Sequence, residues 1–204
     1  GNFSRHATAM NTSPRSLVRG KETIRTNSVD CVRQVALPTG LMSLKVYDGA
    51  AFLLDDLIGF AARANNRRGF LFLSKVLGKH WPVKPSQMHA IHVALAESVP
   101  SELPAPLVFI AMAETAIGLG QGVFEAYKSQ HPERDALFLH TTRYHLRHAP
   151  IIEFEEAHSH APRQFLHCPS DGALRSLLLS ARSLVLIDDE ASTGNTFFNL
   201  SNAC

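Results

Sequence analysis

Leu184-Val-Leu-Ile-Asp-Asp-Glu-Ala-Ser-Thr-Gly-Asn-Thr196 is the stretch whose reading decides the fold. It opens on four apolar residues, as a strand buried on both faces does. It then switches to two acids and a run of small polar residues. A strand that runs through such a loop into a helix offers backbone N–H groups and a helix N-terminus to an anion such as phosphate. Ser192, Thr193 and Thr196 add hydroxyls, and Gly194 lets the backbone approach a ligand closely. Asp188 and Asp189 stand at the strand's carboxyl end, where open α/β sheets bind their ligands. Carboxylates beside a phosphate cradle are repelled by phosphate unless they face something else; a sugar diol or a divalent metal meets that requirement. The loop is not of the Walker A type, since it has no Gly-Lys-Ser/Thr. The plainer alternative is an acidic strand end followed by a capped helix.

Outward from this stretch the same rhythm recurs. Leu107-Val-Phe-Ile-Ala-Met112 and Ala136-Leu-Phe-Leu-His-Thr-Thr142 read as buried strands, and Phe165-Leu-His-Cys168 as a shorter one. A helix is expected through Tyr127. Another is expected from a cap at Ser170 or Asp171 to Ala181, with Leu174, Leu177 and Leu178 on one face. Strands alternating with helices imply crossovers and a parallel sheet, so the fold class is α/β. Further upstream, Leu41–Tyr47 and Phe70–Val76 read as strands. Asp55–Asn65 reads as an amphipathic helix, and Ser86–Ser98 as a helix bounded by Pro85 and Pro100. The Pro-rich run Pro100–Pro106 is a connector, because a strand follows at once.

The chain has 204 residues, of which 45% are hydrophobic and 19% charged, enough apolar matter for a core and too little charge for a disordered chain. No apolar run approaches the ~18 residues of a membrane span. Three cysteines, Cys31, Cys168 and Cys204, are odd in number and form no close pair. That argues against a disulfide framework or a zinc site, and a reducing, cytoplasmic setting is expected. Residues 1–45 carry seven Lys/Arg against two acids, whereas the rest of the chain is mildly acidic. A basic front of this kind binds an anion or is a solvated extension. The first 20 residues hold three Arg and no acid, faintly like a transit peptide. The expected organisation is a basic N-terminal extension or hood region over 1–40, disordered in part, and one domain over 41–204 that is short at its C-terminus.

The stretch 184–196 closely resembles the phosphoribosyl-pyrophosphate (PRPP) loop of type I phosphoribosyltransferases, departing from it only at Glu190, where an aliphatic or small residue is usual. Arg68-Gly-Phe-Leu-Phe-Leu-Ser-Lys-Val-Leu-Gly-Lys-His80, Ala113-Glu-Thr-Ala116, His140-Thr-Thr-Arg143 and Phe154-Glu-Glu-Ala-His-Ser-His160 resemble a narrower group. These are the orotate-phosphoribosyltransferase-like proteins encoded in bacterial tellurite-resistance and stress-response gene clusters. The likeness runs from about Gly69 to Thr196. It implies a central parallel sheet flanked by helices, with a flexible hood over the site. It implies too that Asp188 and Asp189 hold the ribose 2- and 3-hydroxyls, and that Ala191, Ser192, Thr193, Gly194, Asn195 and Thr196 cradle the 5-phosphate beside Glu190.

By the same resemblance, Ala113, Glu114, Thr115 and Ala116 follow the first buried strand where pyrophosphate is bound. Glu114 there reaches a metal or the incoming base, or is simply a helix-start acid. Arg143 clamps pyrophosphate bidentately, or is an ordinary surface cation. Lys75 and Lys79, beside Gly78, are further pyrophosphate candidates, or solvated lysines. Tyr144–Pro162 is the expected hood that excludes water, and its Glu155, Glu156, His158, Ser159 and His160 include candidates for moving a proton to or from the base. The histidines 140, 145, 148, 158 and 160 match no standard zinc spacing.

The implied reaction displaces pyrophosphate from Mg2+-PRPP by a nitrogen of a nucleobase-like acceptor, Mg2+ reaching Asp188 and Asp189 only through PRPP and water. The runner-up function is a non-catalytic PRPP- or nucleotide-binding regulator of the same fold. A nucleic-acid partner is not expected, since only the front end is basic; a homodimer accords with the family. Cys204 lies eight residues past Thr196, so a helix of barely two turns is expected behind the loop, without the further C-terminal domain that resembling proteins usually carry.

Overall fold

Every residue of Leu107–Ala111 and of Ser183–Ile187 is buried, and these two strands lie side by side, parallel, in the computed structural model. The structure describes residues 8–11, 17–19, 31–46, 52–63, 69–146, 150–155, 163–191 and 193–203. The chain divides into two compact units, residues 1–21 with 92–204, and residues 22–91. In the first, β1 (Thr8–Asn11) and β2 (Leu17–Arg19) form an antiparallel pair.

The second unit holds two hairpins. β3 (Cys31–Leu37) pairs with β4 (Gly40–Val46) around a Pro38-Thr39 turn, so the expected boundary at 40/41 falls within a hairpin. Gly40 sits at φ +136, a region open to glycine and rarely to other residues. After the four-residue α1 (Leu54–Leu57), β5 (Ile58–Ala62) pairs with β6 (Phe70–Ser74). The helix expected over Asp55–Asn65 is therefore cut short. Ile58-Gly-Phe60 combines a β-branched residue, a glycine and an aromatic, all poor helix formers. The strand also sets Phe60 edge-on to Phe72 at 5.7 Å, a cross-strand contact no helix offers. Thr39 Oγ1 donates to the Gly69 carbonyl at 2.6 Å, and Arg33 Nη1 lies 2.6 Å from Asp55 Oδ1. That guanidinium holds the Asp55 carboxyl below its usual range. α2 (Pro85–Glu97) follows, starting on a proline whose missing N–H costs nothing at that position.

From there the first unit resumes. β7 (Leu107–Ala111), α3 (Ile117–Gln130), β8 (Ala136–Thr142), β9 (Ile151–Glu155), β10 (Arg163–His167), α4 (Gly172–Leu179), β11 (Ser183–Ile187) and α5 (Asn195–Ala203) complete it. The sheet order is β2-β1-β11-β7-β8-β10-β9. β11, β7 and β8 are parallel; β1 and β10 flank them antiparallel. The α/β class expected from the sequence is thus present, in a mixed sheet whose parallel part is its centre. β10 was expected to extend the parallel set and does not. Among the described residues no helix lies between β8 and β10, so the chain returns through the β9–β10 hairpin, which can only be antiparallel. Of the expected hood over 144–162, residues 147–149 and 156–162 lie outside the described residues. Within it, Ile151–Glu155 is the sheet's edge strand, and its Phe154 is in the core.

Alternation along the strands gives each face its cover. Val108, Ile110, Leu137, Leu184 and Leu186 pack with Phe197 and Leu200 of α5 and with Leu177 and Leu178 of α4. On the other face Phe109 meets Phe124 and Tyr127 of α3 at ring distances of 5.5 and 4.9 Å. α3 comes close to the sheet through Gly120, where a Cβ would stand 2.4 Å from the Ala111 Cβ. Asp171 Oδ1 caps α4 by accepting the Leu174 N–H at 2.9 Å, as its sequence position suggested.

Gly120 and Gly118 make an internal comparison. Gly120→Val should destabilise the chain by about 2–3 kcal/mol through overpacking. Gly118→Ala, whose Cβ meets no atom within 4 Å, should be neutral or stabilise by about 0.5–1 kcal/mol. Urea unfolding of both variants measures the difference, and equal midpoints would contradict the close approach of α3 to β7.

Candidate functional site

Ile187 lies opposite Ala111, and Ala111 opposite His140, so β11 and β7 end in one row beside β8, which runs two residues further to Thr142. The segments at that row are the ones singled out by sequence: 188–196 after β11, 113–116 after β7, and 141–143 at the end of β8. The adjacency follows from hydrogen-bond register alone, and it puts these chemistry-bearing loops at the carboxyl edge favoured for ligands in α/β sheets.

The middle loop is tied to its neighbours from both sides. Met112 N–H donates to the Ile187 carbonyl at 2.9 Å. Ala113 N–H donates to Thr141 Oγ1 at 2.7 Å, and Thr141 is fully buried. The Ala113–Glu114 peptide is cis. Ala113 and Thr115 are half-buried, Glu114 is exposed and Ala116 is buried. Helix α3 begins immediately afterwards with no side chain capping its first turn. Its first N–H groups therefore stand at this edge, an arrangement that favours negative charge.

In the loop after β11, Asp188 is half-buried and accepts the Asp189 N–H on its Oδ1 at 2.9 Å. Asp189, Glu190, Ala191 and Thr193 are exposed, and Asn195 is exposed at the start of α5, with Thr196 half-buried. Ser192 is outside the described residues. Thr193 Oγ1 accepts the Asn195 N–H at 3.3 Å. Gly194 has φ +78, and a Cβ built there meets nothing within 4 Å. A left-handed turn with open space above it is what a bound oxyanion would need, and a side chain would fill it. The loop's position is set from below, because Phe197 and Leu200 anchor α5 in the core.

Thr142 and Arg143 continue from β8. Thr142 Oγ1 accepts the Tyr144 N–H at 3.2 Å, and Arg143 is exposed. Of the histidines from 140 to 160, His140 donates from Nδ1 to the Thr141 carbonyl at 2.9 Å, and His145 packs edge-on to Phe165 at 5.6 Å. His148, Glu156, His158, Ser159 and His160 lie outside the described residues, as does the turn between β9 and β10. Lys75 and Lys79 belong to the second unit. Lys75 Nζ donates to the Asp55 carbonyl at 2.8 Å and stands 5.4 Å from the Trp81 ring centre; Lys79 is exposed. Among the described residues no group of three or more His, Cys, Asp or Glu side chains could hold a metal ion, and no helix is long and apolar enough to cross a membrane.

Two residues matter more than the sequence suggested. Thr141 reads as one hydroxyl in a polar strand end, yet it is buried and fastens the loop after the neighbouring strand. His167 is the last residue of β10 and is bonded to the backbone of Tyr144. Its only signal in the sequence is a polar residue two places after Phe165.

No curated protein matches the chain. A family model described as "Phosphoribosyl transferase" matches residues 57–204, which covers all three loops and the sheet strands from β7 to β11. With its acidic strand end, its glycine turn and its helix N-terminus gathered at one sheet edge, the chain belongs to the phosphoribosyl transferase family.

Proposed function

We propose that this edge binds PRPP and transfers its 5-phosphoribosyl group to a ring nitrogen of a nucleobase-like acceptor, releasing pyrophosphate. The observation that carries the reading is the shared register of Ile187, Ala111 and His140. It puts an acidic strand end, a glycine turn, an uncapped helix start and an arginine at one edge of the sheet. The finer likeness to the orotate-phosphoribosyltransferase-like group of tellurite-resistance clusters rests on the sequence runs.

Roles follow from the demands of the reaction. The bond from ribose C1 to the pyrophosphate oxygen breaks, and the electron pair leaves with pyrophosphate. A bond from C1 to nitrogen forms, and the nitrogen's proton passes to a nearby base or to water. No covalent nucleophile is required, so the protein's task is positioning and charge stabilisation. Asp188 and Asp189 accept hydrogen bonds from the ribose hydroxyls. Ala191–Thr196 donates N–H and O–H groups to the 5-phosphate. The backbone of Ala113–Ala116 and the α3 start receive pyrophosphate with Arg143. Glu156, His158 and His160 are the candidates for the proton transfer.

The donor set suits Mg2+ carried on its ligand. With no metal cage among the described residues, the ion would keep waters and PRPP oxygens, meeting Asp188 and Asp189 through them. When bound it supplies neutralisation of the leaving pyrophosphate.

Calorimetric titration with PRPP, in Mg2+ and then in EDTA, tests the site. The wild type should bind in a Mg2+-dependent way. Asp188→Asn with Asp189→Asn should lower affinity about tenfold or more, the worth of charged hydrogen bonds, with the melting curve little changed because neither side chain is buried. Unchanged affinity would refute the diol assignment. Gly194→Val should abolish ribose 5-phosphate binding, since its side chain enters the open space above a φ of +78, and should cost about 1–2 kcal/mol in stability. A variant that still binds ribose 5-phosphate would show that the phosphate lies elsewhere.

A further inference from the structure

The segment that follows β8 does not leave the sheet freely. It folds back over the face of β10 that carries Phe165 and His167. Four contacts hold it there. Thr142 Oγ1 accepts the Tyr144 N–H at 3.2 Å. His167 Nε2 lies 3.0 Å from the Tyr144 carbonyl oxygen. The His145 ring meets Phe165 edge-on at 5.6 Å and His167 at 6.5 Å, nearly perpendicular to each. Both polar groups of the Tyr144 backbone are therefore satisfied by side chains of the sheet, although Tyr144 itself is exposed.

A carbonyl oxygen only accepts, so His167 Nε2 is the donor in this contact. Nδ1 is buried and has no hydrogen-bond partner among the described residues. Among those residues the Tyr144 carbonyl is the imidazole's one hydrogen-bond partner. Arg143 lies between Thr142, the last residue of β8, and this pinned backbone. Its Cα is held on both sides, by a strand whose register is fixed and by the hydrogen bond from β10.

From this we infer that His167 is a positioning residue for Arg143, holding the 142–145 turn so that the guanidinium is presented to the pyrophosphate of PRPP. The inference rests on the reading of the site given above. A long, rotamer-rich arginine gains most from an anchored backbone, because less freedom is lost when the ligand binds. His167 does not touch the ligand. Its effect passes through one hydrogen bond, so removing the bond should weaken binding by about fivefold.

Two substitutions separate this role from simple packing. His167→Phe keeps a ring against Phe165 and His145 and removes the donor. His167→Gln keeps an N–H donor within reach of the carbonyl. In titrations of the full chain with Mg2+-PRPP, His167→Phe should lose about fivefold in affinity and His167→Gln should recover most of it. In an Arg143→Ala background, His167→Phe should cause little further loss, since both changes remove the same contribution. Thermal melting of each variant checks that the fold is intact.

Wild-type affinity in His167→Phe, or a loss that simply adds to that of Arg143→Ala, overturns the role of His167. Failure of the wild type itself to bind Mg2+-PRPP overturns the reading of the site, and the inference with it. Equal losses in the Phe and Gln variants would assign His167 to packing alone and so also overturn the inference.

Discussion

Ile187, Ala111 and His140 form one row across three parallel strands, and the three candidate loops of the first unit hang on that row. A parallel pair has evenly spaced hydrogen bonds and no freedom to slip without turning buried residues to the wrong face. The strands here are buried at every position of β7 and β11. A slip by one residue would move Val108, Ile110, Leu184 and Leu186 out of the α4–α5 side and put the acids of 188–189 out of line with the 113–116 loop. The core therefore holds the site in register before any ligand contributes.

The loops then use that register differently. After β11 the bonds seen among the described residues are local: the Asp188 carboxylate accepts the next N–H, the Thr193 hydroxyl accepts the Asn195 N–H, and Gly194 stands at positive φ. The segment after β7 relies on neighbours, its Met112 and Ala113 N–H groups donating to the Ile187 carbonyl and to Thr141 Oγ1. The segment after β8 depends on β10. Local chemistry shapes the first loop, and tertiary contacts shape the other two. This division explains why the first could be recognised from a linear pattern and the others only placed.

The same distinction accounts for the elements whose structure differs from the linear reading. Asp55–Asn65 has acids at its start and apolar residues at helical spacing, and it still gives only one turn of helix. Ile58–Ala62 finds a partner strand in Phe70–Ser74, and the gain from pairing and from the Phe60–Phe72 contact exceeds a weak local preference. Ile151–Glu155 sits in a stretch whose charges and histidines suggest a hood, yet Ile151, Ile152 and Phe154 supply the apolar alternation of a strand, and Phe154 is buried with α5. In both places pairing with the next strand along the chain decides the outcome.

What the sequence determined by itself is the α/β class, the buried strands 107–111 and 183–187, the strand 136–142 (of which only Leu137 and Thr141 are buried), the cap at Asp171, and the order of residues in the 184–196 loop. Those features depend on apolar runs, on glycine and proline, and on side chains that bond to backbone within a few residues. Only the tertiary structure decided that β10 runs antiparallel, that Thr141 is a buried anchor for Ala113, and that His167 holds Tyr144. Each of these is a hydrogen bond or a pairing between residues distant in sequence, whose worth depends on burial and direction. A linear pattern encodes the donors and acceptors, and only the packed sheet chooses which of them meet.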